Sequence, residues 1–307
     1  MGELRLGIKA SVAVLSLRPK ASLVIISSPA YLTALILAFA ARARSLPYIL
    51  EIRDIYPEVY SGAGLIREGS LVFAILSRLS NSMYSGASHI IAATDGLARH
   101  IAARVDNGKV SCVYNGFPET LLNLEIRKNK RFTLCFHGVM GYFQDVDTLV
   151  AVARAVESHQ IDVLVIGYGR KEIILKDAPD NLHFAGRLPF LETIKAISAC
   201  HVGLCLRIDD PISQDSFPVK VWEYIGLGIP AIITPHCEAG AFVERHQCGF
   251  QIETGNIETI LGKILDLRNN RMRLEELSQN CRKIAPAFTR EKAGIKIANI
   301  VYNQKLD

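Results

Sequence analysis

Runs of Val and Ile of strand length alternate along this chain with segments of helical period, and this alternation restricts the fold more than any other feature of the sequence. Continuously apolar strands are strands buried on both faces, the condition of a parallel sheet with helices on either side. The fold class predicted is therefore α/β. In the first part, 22-SLVIIS-27 reads as a strand, Ser28-Pro29 as an N-cap and first helical position, and 30–44 as the covering helix. The strand 47-PYILEIRD-54, a long helix near 68–85, a strand 88-SHIIAAT-94, a short helix over 95–104 and a strand 109-KVSCVYNG-116 complete about half of a doubly wound domain. Residues 117–131 have little periodicity and end in a basic cluster, so they read as a connector. A second α/β run follows over 132–286, with strands at 132–138, 161–167, 181–186, 200–206 and 229–234, and 287–307 reads as a closing helix.

A chain of 307 residues, half of them hydrophobic, can bury the cores of two ordinary domains. Its net charge of +5 comes from basic residues spread along the sequence, which argues against a nucleic-acid partner but permits attraction to an anionic lipid surface or a phosphorylated substrate. The seven cysteines are odd in number and sit mostly in apolar runs, so they read as reduced core residues of a cytoplasmic protein. None of them forms a close Cys/His pair of zinc-binding spacing, and no metal site is predicted. Residues 21–41 carry no charge, yet Ser27, Ser28 and Pro29 break the stretch into strand, turn and helix instead of a membrane span. The opening MGELRLGIKA lacks the order of a signal peptide.

The segment that carries chemistry is 213-SQDSFPVKVWEYIGLGIPAIIT-234. Ser216 and Pro218 suit a helix N-terminus, whose backbone N–H groups and positive dipole end favour a phosphate, and Lys220 adds a fixed positive charge. Glu223, less than two turns into that helix, can accept hydrogen bonds from a ribose diol, as acidic residues do in dinucleotide sites. The plainer alternative is a capped amphipathic helix with a solvent-facing Glu.

This segment resembles the donor-site signature of glycosyltransferase family 4: two acidic residues eight apart, here Asp215 and Glu223, then a Gly-x-Pro and a strand. The stretches 51-EIRDIYPE-58, 114-YNGF-117, 136-FHGVMGYFQDVDTLV-150, 165-VIGYGR-170 and 183-HFAGRLP-189 are similar to the same family in the same order, and the wording at 51–58 and 218–224 is most like its bacterial surface-polysaccharide branch. The resemblance implies a GT-B architecture of two Rossmann-like domains: residues 1–116 as an incomplete acceptor-side domain, lacking the opening strand and glycine-rich loop, and 132–286 as the donor-binding domain. It implies Asp215 against the donor sugar and Glu223 on the ribose, with Gly138, Gly141, Gly167, Gly169, Arg187, Ser216, Pro218 and Lys220 around the donor. It implies no cofactor beyond the donor substrate itself, a UDP-sugar, and a lipid-linked or saccharide acceptor, with peripheral contact at the inner face of a membrane. Val139 and Gln144 stand where members commonly carry an Arg and a Lys for the diphosphate, which shifts that load to backbone N–H groups over 138–141 and to Lys220. Arg53 stands near a position where many members have a His.

Asp54 ends a strand, where open α/β sheets place ligands, so it reads either as a group that orients an acceptor hydroxyl or as a turn cap. His137 is a lone strand-end histidine, more often structural than catalytic. Asn115-Gly116 reads as a turn. Two rivals to a transferase stay open at this level: a non-catalytic nucleotide-sugar-binding subunit, and a nucleotide-sugar epimerase sharing the two-domain plan.

Overall fold

In the computed structural model, residues 2–16, 22–124 and 127–304 are described. The chain divides into two compact units, one formed by Met1–Tyr114 with Ala293–Asp307 and the other by Asn115–Lys292.

The first unit holds four parallel strands, β1 (Val24–Ser27), β2 (Tyr48–Ile52), β3 (His89–Ala92) and β4 (Val110–Cys112), lying side by side in chain order. On one face, Ile26, Tyr48, Leu50, Ile52, Ile90 and Ala92 pack with residues of the helices Tyr31–Ala43 and Leu71–Ser85, among them Tyr31, Leu35, Met83 and Tyr84. On the other, Ile49, Ile91 and Val113 are covered by Ala293, Ile297, Ile300 and Val301 of the helix Arg290–Asn303. The helix expected to close the chain thus supplies core to the first unit; residues 305–307 of that expectation lie outside the described residues. Ser28 was expected to start a helix, but its N–H still donates to Glu51 O at 2.9 Å, extending the pairing with β2, and the helix begins only at Tyr31.

A helix over Gly2–Ser16 lies against Tyr31–Ala43. The contact is made by small residues: Thr33 Oγ1 donates to Glu3 O at 2.8 Å, and Gly7 lies so close to Thr33 and Ile36 that a Cβ there would come within 2.9 Å of the Ile36 side chain. Gly7, Ser11 and Val14 are buried, whereas Leu4, Leu6, Ile8, Val12 and Leu15 are exposed.

The second unit is a six-stranded parallel sheet built from β5 (Thr133–Val139), β6 (Asp162–Tyr168), β7 (Leu182–Phe184), β8 (Val202–Leu206), β9 (Ala231–Thr234) and β10 (Gly249–Gln251), in the order β10-β9-β8-β5-β6-β7. Its core joins Leu134, Phe136, Val163, Val165, Leu204 and Ile232 to the helices Val146–Glu157 and Ile257–Asn269. Asp145 caps the first of these by accepting from Thr148 N at 3.0 Å. The expected connector over 117–131 is more than a tether, although Glu125 and Ile126 lie outside the described residues. Phe117 is fully buried, its ring occupying the space that a side chain at Gly226 would need, and it pairs with Thr289. Gly116 takes φ +61°, as the expected turn requires, and a Cβ there would strike Phe288 O at 2.3 Å.

Candidate functional site

In the second sheet the strand order reverses between β5, paired with β6 on one side, and β8 on the other. Ligands in open parallel sheets bind at the carboxyl ends of the strands at such a reversal. The pairing of β5 with β8 runs only from Leu134↔Val202 to Cys135↔Gly203, so the two strands part before their carboxyl ends. On the far side, β5 and β6 stay paired through Val139↔Tyr168 because the contact is glycine on glycine: a Cβ on Gly167 would lie 2.0 Å from Gly138 O. Gly138 takes φ +121° and presents its bare Cα to the Lys220 side chain, where a Cβ would stand 3.7 Å from Nζ.

The opening is filled from the helix Val219–Gly226, all of whose residues from Lys220 to Gly226 are buried. Gly203 on β8 admits the Tyr224 ring; a Cβ there would come within 2.5 Å of it. The Tyr224 hydroxyl thereby lies 3.2 Å from both Cys135 O and Leu204 O and 3.1 Å from His137 Nδ1. His137 Nε2 in turn is 2.6 Å from Glu223 Oε2. Both side chains are more than nine-tenths buried, His137 at 6% and Glu223 at 7% exposure. Burial holds the imidazole below its ordinary pKa, opposed by its contact with Glu223 and helped by the nearby Lys220 charge. One turn earlier, Lys220 Nζ donates to Gln144 Oε1 at 2.9 Å and sits 3.9 Å from the centre of the Phe136 ring. Burial lowers its pKa to about 8, and the Arg207 charge acts in the same direction.

The arrangement is a buried ammonium and a buried carboxylate one turn apart on a helix face, at the carboxyl ends of splayed parallel strands. A group that carries both anionic oxygens and a diol satisfies the two together.

The remaining predicted residues are distributed less tightly. Ser216 does not cap the helix; its hydroxyl donates back to Ser213 O at 2.8 Å, and the helix starts at an N-cap Pro218 that has no side-chain cap. Asp215 lies half-buried in the turn after the short helix Pro211–Gln214. Gly169 is packed against Met140 O, where a Cβ would come within 2.6 Å, while Gly141 faces open space. Two of the backbone N–H groups expected to serve a phosphate are already engaged: Met140 donates to Tyr168 O at 2.8 Å and Gly141 to Val139 O at 3.0 Å. Positive charge gathers around Gln144 through side chains instead. Lys171 Nζ donates to Gln144 O at 2.7 Å, Lys220 holds Gln144 Oε1, and Arg207 pairs with Gln144 through the backbone. Arg187 is exposed and stacks over Tyr168 at 4.8 Å. Asp54 belongs to the first unit, following β2. Sequence reasoning missed Tyr224, Gly203, Lys171 and Arg207, and it missed that His137 has Glu223 for a partner. Among the described residues no group of three or more His, Cys, Asp or Glu is placed to hold a metal ion, and no helix is long and apolar enough to cross a membrane.

Comparison with known proteins places residues 122–286 in the family described as Glycosyl transferases group 1. A curated relative, "Probable glycosyltransferase WbjE" of Pseudomonas aeruginosa, is 23% identical over 220 residues, which is 66% of this chain and 54% of the relative. The chain thus spans about half the length of that relative. Among solved structures, the HepE protein of Anabaena in complex with UDP-glucose matches with TM-score 0.75 and 16% identity over 97% of this chain and 82% of its own. Sucrose-phosphate synthase of Thermosynechococcus elongatus matches with TM-score 0.73 and 14% identity over 98% and 77%. Likeness at such identity bears on the fold, which is that of GT-B proteins with two Rossmann-like units.

Proposed function

Because the chain belongs to the Glycosyl transferases group 1 family, whose match covers more than half of its residues, we propose that it moves a sugar from a nucleotide diphosphate sugar to an acceptor. The observation that carries this reading is the buried pair on the helix Val219–Gly226: Lys220 for the diphosphate, Glu223 for the ribose. The UDP-glucose held by the fold neighbour HepE supports a UDP-sugar as donor, and the relative WbjE supports the wider reading of a glycosyltransferase. In this reading Lys220, aided by Lys171 and Arg207, neutralises charge on the departing diphosphate as the sugar passes through an oxocarbenium-like state. Asp215 contacts the donor sugar, Asp54 orients the acceptor hydroxyl, and the anomeric configuration is retained. The donor is a substrate, and no cofactor is invoked. The acceptor class is a lipid-linked or saccharide intermediate of surface polysaccharide synthesis in the cytoplasm.

A lipid-linked acceptor accords with the helix Gly2–Ser16. Leu4, Ile8, Val12 and Leu15 form one exposed stripe along it, and Arg5 and Lys9 form the stripe beside it. An apolar stripe edged with basic groups suits the surface of an anionic membrane.

Calorimetric titration with UDP, UDP-sugars and GDP-sugars tests the donor site without knowledge of the acceptor. Binding of a UDP compound is expected, weakened about ten-fold or more in Glu223→Ala through loss of charge-assisted hydrogen bonds. Unchanged affinity in that variant would remove Glu223 from the site.

A further inference from the structure

The reading of Glu223 as the ribose group leaves unexplained why a buried carboxylate should spend one of its oxygens on a histidine from a strand 86 positions away. Proton counting explains the arrangement. An ionised carboxylate only accepts, so the 2.6 Å contact requires the proton on His137 Nε2. Burial favours the neutral imidazole, which has one ring proton, and with that proton on Nε2 the Nδ1 atom can only accept. The Tyr224 hydroxyl lies 3.1 Å from Nδ1 but donates to the Cys135 and Leu204 carbonyls at 3.2 Å, so it walls the ring in without supplying Nδ1 with a proton. The Tyr224 hydroxyl is itself located by the Cys135 and Leu204 carbonyls at the point where β5 and β8 part.

We propose that His137 is a positioning residue for nucleotide binding: its Nε2–H fixes Glu223 Oε2 so that Oε1 is the oxygen presented to the ribose hydroxyls. This rests on the reading of Glu223 as the ribose group. A carboxylate held by one oxygen meets a diol without first losing its own rotational freedom, which is how a supporting hydrogen bond raises affinity. His137 touches no substrate atom in this scheme. Its effect falls on whatever contact Glu223 makes, and on nothing else that the nucleotide does.

The discriminating probe is therefore a pair of ligands, UDP and 2′,3′-dideoxy-UDP, titrated calorimetrically against the full chain. The unaltered chain is expected to prefer UDP by about ten-fold or more, the worth of a charge-assisted bond to the diol. His137→Asn keeps an amide near the Nδ1 position but cannot reach Glu223, and it should lose most of that preference while its affinity for the dideoxy compound stays within about two-fold. His137→Gln, which can place an amide N–H near Glu223, should retain the preference. A His137→Asn variant that keeps the full preference would overturn the proposal, and so would one that weakens both ligands alike, since that is the mark of general damage to the fold. If His137→Asn fails to fold, His137→Leu, which fills the place of the ring without an N–H, is set against His137→Gln and decides in the same way: full preference in both overturns the proposal. Glu223→Ala separates this from the underlying reading. No preference in the unaltered chain, or a preference that survives Glu223→Ala, removes the ribose assignment itself and the proposal with it.

Discussion

Lys220 is a lysine in a place where lysines are rarely found, 9% exposed, over an aromatic face and against an amide oxygen. With its pKa lowered to about 8 by burial, it carries charge through neutral pH and loses it just above. The sign follows directly: a diphosphate is attracted to the ammonium and not to the amine, so affinity for UDP should fall as pH rises through 8. One unit above the pKa roughly one chain in ten still holds the proton, so the loss should reach roughly ten-fold by pH 9, measured by calorimetry at fixed ionic strength. Lys220→Met should bind more weakly at pH 7 and show no such step. Lys220 and Glu223 were legible in the sequence because they lie three apart on one helix. His137, Lys171 and Arg207 were not, because what places them beside that helix or Gln144 is how strands far apart in the chain meet: Arg207 follows β8 and His137 lies on β5. Ser216 was misread for a local reason; a serine two residues before a proline can satisfy its hydroxyl by turning back to Ser213 O as easily as by capping forward.

At the scale of elements, the site depends on where backbone is left bare. Gly203 gives the Tyr224 ring its seat, and a methyl group there would lie within 2.6 Å of ring atoms. Gly203→Ala should therefore cost roughly 1–3 kcal/mol of stability by overpacking, read as a lower denaturant midpoint with unchanged m-value. Because the displaced ring carries the hydroxyl that reaches His137, the same variant should also bind UDP less tightly. The strands themselves were the readable elements: apolar runs mark nine of them to within a few residues, and β10 (Gly249–Gln251) went unseen. The helix Gly2–Ser16 went unseen for the opposite reason. Its large apolar residues face outward and its contact is made by Gly7, Ser11 and Val14, so hydrophobic period does not report the buried side.

At the scale of the whole molecule, that outward stripe has a measurable consequence. Binding of the full chain to vesicles containing anionic lipid is expected, and replacing both Arg5 and Lys9 with Glu should weaken it by about ten-fold or more, since each basic group near such a surface is worth roughly 1 kcal/mol. Equal binding to neutral and anionic vesicles, or no change on charge reversal, would count against the membrane reading.

The helix Arg290–Asn303 begins beside Phe117 and Thr289 in the second unit and ends over Ile49 and Ile91 of the first. The chain therefore joins its two units twice, once on the way out and once on the way back. Neither a fragment ending at 114 nor one defined by the family match at 122–286 contains its own complete structural complement. A split protein made at that outward junction would leave the first piece with one face of its sheet uncovered, and the missing cover would be a peptide of little more than one dozen residues attached to the other piece, so that the two halves would have to find each other to be whole.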